Sequence, residues 1–122
     1  YGELFDQLEL FEADLLNPES FDAAVNGAHY VVHTASPFPL KSPKDEMELI
    51  RPAVEGTMAV LRAAHKYRAQ RVVVTSSVAS VMVRPKDSTL EANFNEDDWS
   101  DIPTCKPYEK SKTMAEKAAW DF

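Results

Sequence analysis

His29-Tyr30-Val31-Val32-His33-Thr34 and Arg71-Val72-Val73-Val74-Thr75-Ser76-Ser77 decide how this chain folds. Each is a continuous β-prone run with few polar positions, the pattern of a strand covered on both faces. Between them the spacing predicts a helix from about Asp45 to Tyr67. Met47, Ile50, Val54, Met58, Leu61 and Ala64 recur there every three or four positions and share one face. Pro52 falls inside this helix and is expected to kink or restart it. Strand, helix and strand in that order, with buried strands, imply an α/β protein on a parallel sheet.

Toward the N-terminus, Leu8 to Ala13 reads as a further short strand. Asn17-Pro18-Glu19 then gives a helix start, with Asn as N-cap, Pro in the first turn and an acid beside the dipole. That helix covers Phe21 to Val25 and stops at Asn26-Gly27. Toward the C-terminus, Pro37, Pro39 and Pro43 mark an extended loop, and the stretch from Pro85 to Pro103 is polar, acidic and irregular. A last helix runs from Pro107 to Phe122, with Ala115, Ala118, Ala119 and Phe122 as its apolar stripe. No repeat, low-complexity tract or linker divides residues 1–122, which read as one domain.

The strand count suggests what kind of sheet this is. A dinucleotide-binding, doubly wound sheet has strand order 3-2-1-4-5-6. If the three runs are its third, fourth and fifth strands, the third lies across a gap that the first two would fill. Unpaired buried backbone is costly. The expectation is therefore a partial Rossmann-type parallel sheet with flanking helices, lacking the first βαβ unit.

Composition narrows the function. The 122 residues are 44% hydrophobic and 27% charged, with a net charge of −7 spread along the chain. Clustered Lys and Arg for a nucleic acid are missing, and docking on an anionic membrane is disfavoured. No apolar run approaches a bilayer span. Cys105 stands alone, which suits a reducing cytoplasm. The sequence begins at Tyr1 with no signal-like segment, so it reads as a fragment or a processed product. His29 and His33 sit about 13 Å apart along a strand and cannot share a metal. His65 reads as a helix-surface residue, Glu96 to Asp101 as a solvated acidic face, and no metal is expected.

Chemistry concentrates in Tyr108-Glu109-Lys110-Ser111-Lys112. A Tyr and a Lys four apart lie on one helical face, and an ammonium or a helix N-terminus beside a phenol stabilises its phenolate. A tyrosine tuned in this way can pass a proton near neutral pH. Alone, the spacing fits a surface Tyr and Lys equally well. Thr75-Ser76-Ser77 ends a buried strand in hydroxyls, and ligands of open parallel sheets bind at the carboxyl ends of strands. Alone, it fits a capped strand end.

Together these segments resemble the extended branch of the short-chain dehydrogenase/reductase superfamily, within its dihydroflavonol reductase, cinnamoyl-CoA reductase and ketone/aldehyde reductase group. Glu12-Ala13-Asp14-Leu15 resembles that group's adenine-contacting Asp-Leu pair. Val32-His33-Thr34-Ala35-Ser36-Pro37 resembles its His-x-Ala-[Ser/Thr]-Pro turn, and Pro52-Ala53-Val54-Glu55-Gly56-Thr57 its Pro-Ala-Val-x-Gly-Thr helix. Where Ala53 stands, sugar-nucleotide epimerases and dehydratases usually carry Asn. Ser111 to Trp120 resembles the group's Ser-Lys-Thr-Leu-Ala-Glu-x-Ala-Ala-Trp helix.

The resemblance implies a partial NAD(P)-binding domain over residues 1–122, with the substrate domain missing as well, and reduction of a small-molecule carbonyl to an alcohol. It implies NADP as cofactor, with NAD possible. Ser77 would hydrogen-bond the substrate oxygen, Tyr108 would protonate it, and Lys112 would hold the nicotinamide ribose and favour the ionised Tyr108. Asp14 and Leu15 would meet the adenine, and Thr34, Ala35 and Ser36 would line the cofactor. Three departures matter. Gly2, Gly27 and Gly56 are too far apart to form a Gly-x-x-Gly-x-x-Gly phosphate loop. Met82 stands where dihydroflavonol reductases often carry Asn. Cys105-Lys106-Pro107-Tyr108 departs from the Asn-Trp-Tyr-Cys-Tyr signature of cinnamoyl-CoA reductases. A broader aldehyde or ketone reductase fits better. The alternatives are a steroid-type dehydrogenase/isomerase or epimerase of the same branch, and a truncated, inactive product.

Overall fold

Two parallel strands form the centre of the molecule: β1 (Tyr30–His33) and β2 (Arg71–Val74), in the register Tyr30 opposite Arg71 through His33 opposite Val74. The ladder extends at both ends, where Gln70 N–H donates to His29 O at 2.8 Å and Thr75 N–H to His33 O at 2.9 Å. The computed structural model describes residues 2–39, 41, 43–86, 88 and 93–122. The expected loop at 37–43 and the irregular stretch at 85–103 therefore lie partly outside the described residues.

Short helices α1 (Gly2–Phe5) and α2 (Asp22–Val25) precede β1, a long helix α3 (Met47–Lys66) joins the strands, and α4 (Pro107–Trp120) follows them. One-turn 3-10 segments occupy Pro18–Phe21, Val78–Ser80 and Ile102–Thr104. The expected helix at Phe21 to Val25 is thus a 3-10 turn running into α2. Asn17 makes no side-chain cap. Instead the Ser20 hydroxyl donates to Asn17 O at 2.6 Å and accepts from Asp14 N–H at 2.9 Å. Gly27, at φ +85°, takes the left-handed position that ends α2, as its sequence predicts.

Helix α3 runs unbroken through Pro52, so the proline does not restart it. Its buried positions are Leu49, Ile50, Ala53, Gly56, Thr57, Ala59, Val60, Ala63 and Ala64, while Met47 is exposed. Of the predicted stripe only Ile50 and Ala64 are buried, while Val54, Met58 and Leu61 are half-buried; the buried face is rotated from it because α3 packs on α4, on both strands and on the 18–21 turn. Its C-terminus closes with Ala69 N–H on Ala64 O and Arg68 N–H on His65 O, which puts Arg68 at φ 58° in the position glycine usually holds. On α4, Ala115 is buried, Ala118 and Ala119 are half-buried, and Phe122 is exposed beyond the helix end.

Three expectations need correction. No strand forms at Leu8 to Ala13; Leu8, Leu10 and Phe11 are exposed, and Asp14 and Asn17 make only an isolated bridge. A strand is held by its ladder, and this run has no neighbour to pair with. Strand β2 ends at Val74 rather than Ser77. The sheet is also covered on one face only. Val31 and Val72 pack on Val25, Ala63 and Ala64, whereas Tyr30, Val32 and Val73 are 67%, 66% and 58% exposed on the other face.

Candidate active site

Several of the candidate residues lie near the end of β2. Helix α4 starts at Pro107, and the Glu109 carboxylate accepts from Lys106 N–H at 2.7 Å, which satisfies one orphan donor of the first turn. Tyr108 is thereby fixed in that turn, half-buried, with the Phe38 ring edge-on to it at 5.3 Å between centroids. One turn later Lys112 is only 7% exposed, and its Nζ donates to Thr75 O at 3.0 Å. Burial lowers the Lys112 pKa from its ordinary value, and the Glu116 carboxylate opposes that shift.

Ser77 opens the 78–80 turn in extended backbone, and its hydroxyl accepts from Ala79 N–H at 3.2 Å. That bond leaves the hydroxyl proton to donate elsewhere. The turn packs on α4. Helix α4 thus brings Lys112 to the strand end, two residues before Ser77.

Lys112 shares a cavity of about 10 Å³ with Ala35, Ser36, His33, Thr57 and Glu116, room for at most one water. Ala35 and Ser36 line this cavity with Lys112, while Thr34 is exposed outside it. Asp14 and Leu15 lie apart from it, in an open groove of about 540 Å³ that also includes Pro52. Asp14 already accepts from Leu16 N–H at 2.8 Å. Leu15 crosses α3 at Gly56, where an added Cβ would stand 2.5 Å from Leu15 Cδ2 and 2.8 Å from its Cβ.

Several residues escaped the sequence reading. His33 is buried, its Nε2 is 3.3 Å from the Thr57 hydroxyl, and burial followed by the Lys112 charge lowers its pKa from 6.5. Ser76 donates to the Glu116 carboxylate and lies 3.1 Å from the Ser80 hydroxyl. The stretch read as a solvated acidic face is only partly so: Glu96 and Asp97 are exposed, but Asp98 pairs with Arg84 at 2.6 Å and Ser100 is buried. His65 is exposed, as expected. Only the half-motif His-x-Ala around His33 hinted at any of these. Among the described residues no cluster of His, Cys, Asp and Glu could hold a metal ion, and no helix is long and apolar enough to cross a membrane.

Comparison with known proteins gives these positions a context. The sequence model of the 3-beta hydroxysteroid dehydrogenase/isomerase family matches residues 3–121. Tetraketide alpha-pyrone reductase 1 of Arabidopsis thaliana is 42% identical over 96% of this chain, and so is cinnamoyl-CoA reductase CAD2 of Medicago truncatula. The chain spans 37% of the length of each. Among solved structures, Gre2 of Candida albicans in complex with NADPH aligns over 98% of this chain and 40% of its own, with TM-score 0.77 and 33% identity. The yeast methylglyoxal/isovaleraldehyde reductase Gre2 with NADPH aligns over 89% and 36%, with TM-score 0.74 and 35% identity.

Proposed function

The chain belongs to the 3-beta hydroxysteroid dehydrogenase/isomerase family, and from that we propose that the whole protein reduces an aldehyde or ketone to an alcohol with NADPH. Residues 1–122 contribute the reacting end of its dinucleotide-binding domain. The observation that carries this reading is the buried Lys112 amine, drawn onto Thr75 O at the end of β2, one helical turn from Tyr108. A dehydrated amine beside a phenol has little use in a core, but it suits a site that must pass a proton.

The residues present fit the nicotinamide end of the cofactor. Lys112 offers donors for ribose hydroxyls with Ala35 and Ser36 beside it, around a cavity that must widen from about 10 Å³ to admit a ribose. The groove of Asp14 and Leu15 offers a carboxylate and an apolar wall for the adenine. When bound, the dihydronicotinamide supplies the hydride. As charge develops on the substrate oxygen, Ser77 donates a hydrogen bond to it and Tyr108 delivers the proton. Lys112 stabilises the phenolate left behind.

A second reading has support in the family description itself, which names hydroxysteroid oxidation and isomerisation. The relatives at about 42% identity are both named as reductases, which favours carbonyl reduction. The test is NADPH oxidation by the full-length protein against a panel of aldehydes, ketones and one 3-ketosteroid. Saturable turnover of an aldehyde or simple ketone is the expected result. Turnover of the steroid alone would move the assignment to the second reading, and none with any carbonyl would refute both.

A further inference from the structure

Building on the reading of Ser77 as the hydroxyl that meets the substrate oxygen, we propose that Ser100 is a positioning residue: it anchors the 78–80 turn and so holds the Ser77 hydroxyl in place. Among the described residues the Ser77 hydroxyl is oriented by one protein bond, from Ala79 N–H at 3.2 Å. That bond is only as fixed as Ala79. In a helical turn the N–H and C=O of one residue point in opposite directions. Whatever grips Ala79 O therefore steadies Ala79 from the side away from Ser77.

Ser100 provides that grip. Its hydroxyl donates to Ala79 O at 2.7 Å and accepts from Val83 N–H at 2.9 Å, while its own N–H donates to Ser80 O at 2.7 Å. Thr113 on α4 also approaches Ala79 O, but at 3.4 Å, and its single proton lies closer to Glu109 O at 2.8 Å. Ser100 is thus the stronger anchor. Ser100 is 4% exposed and Ser80 0%, so these bonds are shielded from water.

The strap that carries Ser100 is itself tied down. Arg84 donates to Trp99 O at 2.6 Å and to Val81 O at 3.2 Å, and pairs with Asp98. Asp101 N–H donates to Val83 O at 2.9 Å. The residues flanking Ser100 and those following Ser77 form one bonded unit.

Removing the Ser100 hydroxyl would leave Val83 N–H without its acceptor and Ala79 O with only the long Thr113 contact. Buried groups left in that state seek other partners, and the turn shifts to supply them. A misplacement of about 1 Å in a reacting group can cost on the order of 100-fold. Ser100→Ala should therefore lower kcat about 10- to 100-fold by that measure. The NADPH Kd should be unchanged, since Ser100 touches none of the residues assigned to the cofactor.

The experiment is a double-mutant cycle in the full-length protein with NADPH and the best aldehyde or ketone, comparing Ser77→Ala, Ser100→Ala and the double variant. If Ser100 acts through Ser77, Ser100→Ala slows the parent and has little further effect once Ser77 is alanine. An equal fold-loss in both backgrounds, or a parent kcat untouched by Ser100→Ala, overturns the proposal. Full turnover by Ser77→Ala instead overturns the reading on which it rests. Should Ser100→Ala not fold, Asp98→Ala loosens the same strap from its more exposed side, and the same cycle with Ser77→Ala decides.

Discussion

Replacing Gly56 by alanine tests how the two ends of the candidate cofactor site are joined. In isolation the change favours folding, because glycine inside a helix costs about 1 kcal/mol relative to alanine. Here the new Cβ would lie 2.5, 2.8 and 3.1 Å from Leu15 Cδ2, Cβ and Cγ. The terminal methyl could rotate away, but the Leu15 Cβ moves only with its backbone. That backbone is pinned by Ser20 Oγ on Asp14 N–H, Asp14 Oδ1 on Leu16 N–H and Asp14 O on Asn17 N–H. Overpacking of this kind costs about 1–3 kcal/mol, and the pinned loop argues for the upper half. After the helix gain, a net loss of about 1–2 kcal/mol is expected. It should appear as a lower Tm in the full-length protein, with a weaker NADPH Kd as Asp14 and Leu15 are displaced. A Leu15→Gly background removes all three clashing atoms, and Gly56→Ala should there become neutral or stabilising. The reasoning fails if Gly56→Ala is as stable as the parent, or if its cost persists without the Leu15 side chain.

Tyr108→Phe in the full-length protein keeps the ring that packs on Phe38 and removes the proton donor. Turnover should fall by about 10²–10⁴-fold while NADPH titration is unchanged, and near-normal turnover would exclude Tyr108 as the acid. His33 provides a pH test, since burial and the Lys112 charge lower its pKa from 6.5. Between the two values the unfolded chain binds more protons, so the stability associated with neutral His33 is present above 6.5 and is lost as pH falls through the folded value. Melting curves from pH 7.5 downward should show this acid limb, and His33→Gln should flatten it. The isolated 122-residue chain should neither bind NADPH saturably at micromolar concentration nor melt cooperatively. It has no phosphate-cradling glycine loop, and each exposed Val on its bare sheet face forgoes roughly 1.5–3 kcal/mol of burial. A sharp melt with micromolar binding would contradict this.

What the sequence revealed and what it hid follow one division. Strands β1 and β2 were legible because Val31-Val32 and Val72-Val73-Val74 are β-branched runs long enough to stand out locally. Helix α3 was legible as a helix from its period, but not the face it buries, which packing against α4 and the strands decides. The Leu8 to Ala13 run looked similar but forms no strand, because pairing is decided by a neighbour and not by propensity. The Tyr108–Lys112 pair was visible because both residues belong to one helix. Ser100 was invisible: it is one serine in an acidic stretch, and its burial depends on the chain crossing back over the 78–80 turn. Glu116 resembled any helix-surface acid until the end of β2 placed Ser76 against it.

The position of Lys112 shows how the strand end creates the site. In a parallel ladder a residue's N–H and C=O address the same neighbouring strand, two residues apart. Thr75 N–H reaches His33 O, so continued pairing would give Thr75 O the N–H of Ala35. After His33 the chain turns away through Thr34-Ala35-Ser36-Pro37, and Thr75 O goes to the Lys112 amine instead. The amine is thus held by a carbonyl that the sheet has released, beside a carboxylate that opposes the effect of its burial. Burial alone would drive the group toward its neutral form, and a fully paired ladder would leave it only the second lone pair of that carbonyl. The departure of β1 at His33 leaves a carbonyl at the sheet edge that the Lys112 amine, one helical turn after Tyr108, takes up. The turn after β1 and helix α4 thus act on one carbonyl: the first leaves it without a ladder partner and the second supplies a donor.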